Sequence, residues 1–187
     1  MITLFKYLRS IHPLSEALRD RLEDIVKEKN ITRKDYLLRA GQTCTNIYFV
    51  ERGLLRSFYL KGGKEISSHF MKERDICVAA ESFFTQRHGQ ENIQALEDCV
   101  VFYISYDELQ RIYRDFGEFN NIGRILMERC YLSNVQRITA MWMQKAHDRY
   151  SWFAKNFPDL MQRVPAKYLA PYLGITEGML SKIKSRK

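Results

Sequence analysis

The chain has 187 residues, with 30 Lys and Arg against 22 Asp and Glu, a formal net charge of +8. Hydrophobic residues make up 45% and aromatics 13%, enough for a packed core, so disordered, collagenous and low-complexity classes are excluded. No apolar run approaches the ~18 residues of a membrane helix, and the opening MITLFKYLRSIHPLSE is too short and too polar for a signal peptide. The positive excess points to an acidic partner, nucleic acid or a membrane surface, without choosing between them.

In chain order, residues 2–10 and 14–29 read as helices. Ser15 caps the second, and Leu14, Leu18, Leu22, Ile25 and Val26 recur on one face at steps of three and four. From about 31 the period changes to two. Ile31-Thr-Arg-Lys-Asp-Tyr-Leu-Leu38 runs into Gly41, and Ile47-Tyr-Phe-Val50 runs into Gly53. Leu54–Leu60 and Glu65–Phe70 flank Lys61-Gly62-Gly63-Lys64, where two glycines supply the positive φ angles of a tight hairpin turn. Further strands near 76–80, 92–97 and 99–104 complete an antiparallel unit of seven or eight strands, jelly-roll or barrel-like in class.

The helical period returns at Ser105, which with Glu108 forms a capping box for a helix over 105–115. After Phe116-Gly117 a segment over about 118–156 has no Pro and one Gly, Gly123. From 118 to 145 it would span ~42 Å, more than a small domain needs to cover its own core. Its stripe of Ile122, Ile125, Leu126, Leu132, Val135 and Ile138, continued by Met141 and Trp142, is expected to pair with a second copy of the chain.

The four cysteines, Cys44, Cys77, Cys99 and Cys130, form no CxxC pair and have no His close in sequence, so spacing gives no metal site. Reduced thiols in a cytoplasm are expected. The sequence holds no zinc-protease His pair, nucleophile elbow or phosphate loop, hence no catalytic residues are assigned and no enzyme is expected.

The charge is unevenly placed. Residues 145–187 hold nine basic and three acidic residues, a net of +6, while the first 144 residues carry only +2. This segment ends in Val164-Pro-Ala-Lys-Tyr-Leu-Ala-Pro-Tyr-Leu-Gly-Ile-Thr-Glu-Gly-Met-Leu-Ser-Lys-Ile-Lys-Ser-Arg-Lys187. A helix over 165–173, a turn at Gly174 and a second helix over 177–185 capped by Thr176 are predicted. Leu169, Leu173, Ile175, Leu180 and Ile183 close a small core between them. This is a helix-turn-helix spacing, in which Thr176, Glu177 and Gly178 would meet base edges, with Ser181 and Lys182 one turn later. Lys184, Arg186 and Lys187 suit phosphates. Pro171 is expected to kink or loosen the first helix, and Gly178 costs the second ~1 kcal/mol relative to Ala.

With these motifs in place, the sequence resembles the Crp/Fnr family of bacterial transcription regulators over nearly its whole length. Ile47–Ser57, the hairpin at Lys61–Glu65 and Ala95–Leu109 resemble that family's cyclic-nucleotide-binding β-roll, the long helix its dimerisation helix, and residues 165–184 its helix-turn-helix. The ending, with no β wing, is similar to a subgroup common in Bacteroidetes-type bacteria. The resemblance implies an α+β fold in three parts: a β-roll with flanking helices over 1–117, a dimerisation helix over 118–145 and a DNA-binding region over 146–187. It implies double-stranded DNA and a second copy as partners, RNA polymerase as a further contact, and no membrane.

The departures are informative. In cyclic-AMP binders of the family, a Glu holds the ribose and an Arg the cyclic phosphate. Those positions fall here on Val78-Ala79-Ala80 and on Gly89-Gln90, which carry neither group. A register shift of two residues would bring Glu81, Arg87 and His88 into their place. The candidate effector pocket is thus Ala79, Ala80, Glu81, Ser82, Arg87, His88, Gly89 and Gln90. Cyclic AMP is not expected there, nor is any metal or cofactor. The family's N-terminal cysteine cluster is missing, and His69 and His88 are lone candidates for a haem ligand. The expected function is a homodimeric DNA-binding regulator. The alternative is a small-molecule-binding or protein-interaction module of the same fold with a degenerate DNA end.

Overall fold

The structure, a computed structural model, describes residues 1–185. Arg186 and Lys187, both assigned above to phosphates, lie outside the described residues. Two helices open the chain, α1 (Ile2–Arg9) and α2 (Glu16–Ile25). Ser15 caps α2 as expected, its Oγ accepting from the Leu18 amide at 3.2 Å. The helix stops at Ile25, short of the predicted 29. Lys27–Ile31 is instead a strand, β1. Lys27-Glu-Lys-Asn30 offers no apolar residue to extend the buried stripe of α2, and the backbone here pairs with a strand further along.

The remaining strands are β2 (Tyr36–Leu38), β3 (Asn46–Arg52), β4 (Leu55–Lys61), β5 (Lys64–Met71), β6 (Ile76–Cys77), β7 (Asn92–Ala95) and β8 (Cys99–Ser105). They form two antiparallel four-stranded sheets, in the orders β1-β8-β3-β6 and β2-β7-β4-β5. The β4–β5 hairpin closes with Lys61 opposite Lys64, and Gly62 and Gly63 have φ of +56° and +75°. These are the positive angles that a two-residue hairpin turn demands. Val50, Leu55, Ile93, Ala95 and Val101 are buried in a common core. Tyr7 of α1 packs on Phe49 of β3, with ring centroids 5.5 Å apart.

A short helix, α3 (Ala80–Thr85), lies between β6 and β7, and β6 ends at Cys77, short of the strand expected near 76–80. After β8 come α4 (Tyr106–Asp115) and α5 (Gly117–Met143). Ser105 caps α4 through the Glu108 amide, but the Glu108 carboxylate pairs with Arg21 and Arg111. The predicted continuous segment to 156 breaks at Gln144-Lys145, where both residues are extended, before α6 (Ala146–Asn156). Neither Pro nor Gly causes the break. Arg149 stabilises it, donating to the carbonyl that Gln144 leaves free and to the carbonyl of Leu173.

The chain ends in α7 (Pro158–Arg163), α8 (Ala166–Tyr172) and α9 (Glu177–Ser185). Their core contains Tyr150, Phe153, Leu160, Val164, Leu169, Leu173, Leu180 and Ile183. Leu54 belongs to the same cluster, and Phe70 and Leu96 pack against it. The C-terminal helices therefore share a core with the second sheet.

Candidate nucleic-acid interface and sensor cassette

The predicted helix-turn-helix is formed by α8 and α9. Gly174 lies between them with φ +66°. Its amide donates to the Pro171 carbonyl at 3.0 Å, and the Ile175 amide to the Ala170 carbonyl at 3.0 Å. This pair of bonds is the Schellman ending, which needs left-handed backbone at the first residue past the cap. Pro171 lies inside α8 without stopping it, and its carbonyl takes part in this ending. The ending uses carbonyls, which proline keeps, and α8 runs on to Tyr172. Thr176 caps α9, its Oγ1 accepting from the Met179 amide at 3.2 Å.

One side of α9 turns Leu180 and Ile183 into the core. Thr176, Glu177, Gly178, Ser181, Lys182 and Lys184 are all exposed, so the structure brings these sequence candidates together on one outward surface. A Cβ built on Gly178 meets nothing within 4 Å, which leaves open space at that turn. Met179, 46% exposed in the same turn, was passed over in sequence. Its apolar side chain suits a thymine methyl group, and exposure beside a cap is the signal that finds it.

On α5, Tyr131, Leu132, Val135, Ile138 and Trp142 are exposed, Leu132 at 58% and Trp142 at 79%. Ile125 and Leu126 are half-buried. Ile122 corrects the expected dimer stripe, because it is fully buried in the protomer core. The N-terminal third of α5 packs on its own domain, and the apolar outer face begins about one turn later.

In the sensor cassette, α3 and the loop after it are braced internally. Ser82 Oγ accepts from the Cys44 amide at 2.9 Å and donates to the Arg87 carbonyl. Gln86 is left-handed, with φ +53°, and its side-chain amide donates to the Phe83 and Cys44 carbonyls. Of the sequence candidates, Ala79, Ser82 and Gly89 are buried, while Ala80, Glu81, Arg87, His88 and Gln90 are exposed. His88 pairs with Thr43 at 3.2 Å.

A Cβ on Gly89 would lie 2.8 Å from the Ser82 Cβ, so this backbone has no room for the family's Arg. Two residues on, Glu91 is buried and accepts from Ser68 Oγ at 2.8 Å. Burial raises its pKa above the ordinary value, against the lowering effect of the Ser68 hydrogen bond and of His69. His69 itself bonds Asn134 of α5 at 2.8 Å. Glu91 is thus a buried carboxylate next to a cassette in which Gly89 packs against Ser82. Glu91 carries no sequence signal of its burial, because a Glu just before a strand looks like an exposed edge residue.

Residues 28–116 match the family profile described as the cyclic nucleotide-binding domain. Among curated proteins, the chain is 24% identical over 189 residues to the anaerobic regulatory protein of Aggregatibacter actinomycetemcomitans, covering 92% of this chain and 72% of that one. It is 26% identical over 152 residues to a cyclic nucleotide-gated ion channel of Arabidopsis thaliana, covering 74% of this chain but only 20% of the channel. Among solved structures, a CooA variant from Carboxydothermus hydrogenoformans superposes with a TM-score of 0.71 at 18% identity, over 92% of this chain and 80% of that one. A Crp/Fnr-family regulator of Eubacterium rectale gives 0.70 at 18% identity, over 91% and 82%. Residues 28–116 thus match the cyclic nucleotide-binding domain family, and the chain as a whole has a fold similar to that of the Crp/Fnr regulators.

Proposed function

We propose that the protein is a cytoplasmic, homodimeric, DNA-binding transcriptional regulator whose β-roll does not take cyclic AMP through the family's cassette. The outward face of α9 carries this reading: a capped helix with Thr176, Glu177, Ser181, Lys182 and Lys184 exposed on a closed helix-turn-helix. The relatives at similar length, an anaerobic regulatory protein and Crp/Fnr regulators, support it. The apolar face of α5 supports pairing with a second copy. Two recognition helices would then address half-sites one duplex turn apart, ~34–36 Å.

Selection of duplexes from a random library, followed by mobility shift of the selected duplex against a scrambled one at two salt concentrations, tests the reading. Specific binding that weakens steeply with salt is expected. Equal binding to both duplexes by folded protein refutes it. Calorimetry with cyclic AMP tests the second part, and micromolar binding would refute the reading of Ala79 and Gly89.

A further inference from the structure

The C-terminal helices are fastened to the sensor sheet by an electrostatic joint. Arg163, the last residue of α7, reaches two loops of the β-roll at once. It donates to both carboxylate oxygens of Glu73 at 2.8 and 2.9 Å, and to both of Glu97 at 2.9 and 2.7 Å. Glu73 also accepts from the Gly53 amide at 2.8 Å, which fixes the receiving loop. The Arg163 hydrogen bonds hold the Glu73 carboxyl down at about 2. Lys72 and Asp159 add a second pair across the same boundary at 2.6 Å.

Two tyrosines of α8 extend the joint. Tyr168 stacks on the Arg56 guanidinium at 3.6 Å, and that guanidinium lies 4.0 Å from the Phe58 ring on its own strand. Tyr172 packs on Phe70 of β5 at 5.1 Å and lies under Arg137 of α5 at 4.6 Å. The first helix of the DNA-reading pair is therefore held by the sensor sheet and by the long helix together.

Single exposed ion pairs contribute little, but a two-carboxylate fork with ideal geometry is the exception, because it fixes direction as well as distance. Arg163 lies three residues before α8, so a tilt of α7 passes through Pro165 directly into the helix-turn-helix. We propose that Arg163 is a positioning residue: its fork on Glu73 and Glu97 sets the orientation in which each protomer presents α9, and so governs specific DNA affinity. This rests on the DNA-binding reading above. Two half-sites must be met simultaneously, and a loosened joint would spread the separation of the two α9 helices without removing any group that touches DNA.

The test compares wild type with Arg163→Met and with the double variant Glu73→Gln, Glu97→Gln, which removes both carboxylate charges and keeps an acceptor for the Gly53 amide. Affinity is measured for the library-selected duplex and for a scrambled duplex, and hydrogen exchange is followed without DNA. Arg163→Met is expected to lose about tenfold in affinity for the selected duplex. Binding to the scrambled duplex should stay unchanged, amides of α8 should lose protection, and the β1–β8 ladder should keep its own. The double glutamine variant should lose specific affinity as well, and its loss should not add to that of Arg163→Met when the two are combined. Unchanged or tighter specific binding by Arg163→Met overturns the proposal, as do losses that add fully when Arg163→Met and the double glutamine variant are combined. If Arg163→Met does not fold, Arg163→Lys keeps the charge without the fork, and unchanged specific affinity in that variant overturns the proposal equally. A wild type with no specific affinity refutes the DNA-binding reading instead, and the exchange data separate that failure from failure of the joint.

Discussion

Arg56 is the most deeply buried charged side chain described, with 0% of its side chain exposed, while its partner Glu65 is 38% exposed. Their contact is 2.8 Å, and Arg56 also donates to Gln94 at 2.9 Å. Exposure alone would rank Arg56 as the costlier residue to change. The physics predicts the reverse for suitable substitutions. Glu65→Ala leaves a cation in the protein interior, and removing one partner of a buried pair costs about 3–5 kcal/mol. The lower end applies here, about 3 kcal/mol, because Glu65 is partly hydrated and the two aromatic faces remain as cation–π partners. Arg56→Met keeps an apolar column between Phe58 and Tyr168 and lets Glu65 return to water. Apolar replacement of a buried ion is often near neutral, so about 1 kcal/mol of loss is expected. Urea unfolding at neutral pH, at one protomer concentration since a dimer's stability depends on it, measures both, and an unchanged m-value confirms that the same transition is compared. If Glu65→Ala costs less than Arg56→Met, the stacked guanidinium is not held as a charge by Glu65 and the reasoning fails.

Other outcomes follow from features of the same kind. Leu132→Glu places a charge on the exposed stripe of α5 and should convert a dimer to a monomer in sedimentation, with the β-roll's melting unaffected; a dimer that survives places the contact elsewhere. Burial raises the Glu91 pKa above 4.5 in the native state, so the native state holds its proton to higher pH than the unfolded chain. Wild-type stability should thus fall as pH rises through that interval, and Glu91→Gln should remove the slope and melt higher at neutral pH, as thermal scans would show. Gly178→Ala should stabilise by about 0.5–1 kcal/mol through helix propensity, since a Cβ there meets open space. Gly174→Ala should destabilise instead, because its φ is +66°, and equal effects in chemical unfolding would refute the assignment of the turn.

Local signals were readable where one residue decides one geometry. The Gly62-Gly63 hairpin, the Ser15, Ser105 and Thr176 caps and the Gly174 turn all stand where spacing placed them. Short elements were not, because six residues carry too little periodicity. α3 and α7 were both missed, although Pro158 at the first position of α7 is a helix-start signal. Residues whose meaning lies in a distant partner were also opaque. Arg56 reads as an ordinary strand residue until Tyr168 is placed over it, more than one hundred positions away. Arg163 reads as part of a basic footprint on DNA, yet its charge is spent on Glu73 and Glu97 within the chain. Ile122 matched the apolar stripe of α5 but serves the protomer core, since a helical stripe does not say which neighbour covers it.

The placement of Leu54, Phe70 and Leu96 in the hydrophobic cluster of the C-terminal helices bears on how such a regulator can be rebuilt or can evolve. A DNA-reading end that folded alone could be grafted between relatives by joining chains in the segment after α5. Here a graft made at residue 144 would separate Leu169, Leu173 and Phe153 from Leu54, Phe70 and Leu96, with which they form one hydrophobic cluster. On the DNA-binding reading proposed above, specificity would change through substitutions on the outward side of α9, with the inward side and the β4–β5 ribbon kept together. Chimeras cut at the linker should aggregate, whereas chimeras that exchange only residues 176–185 should fold.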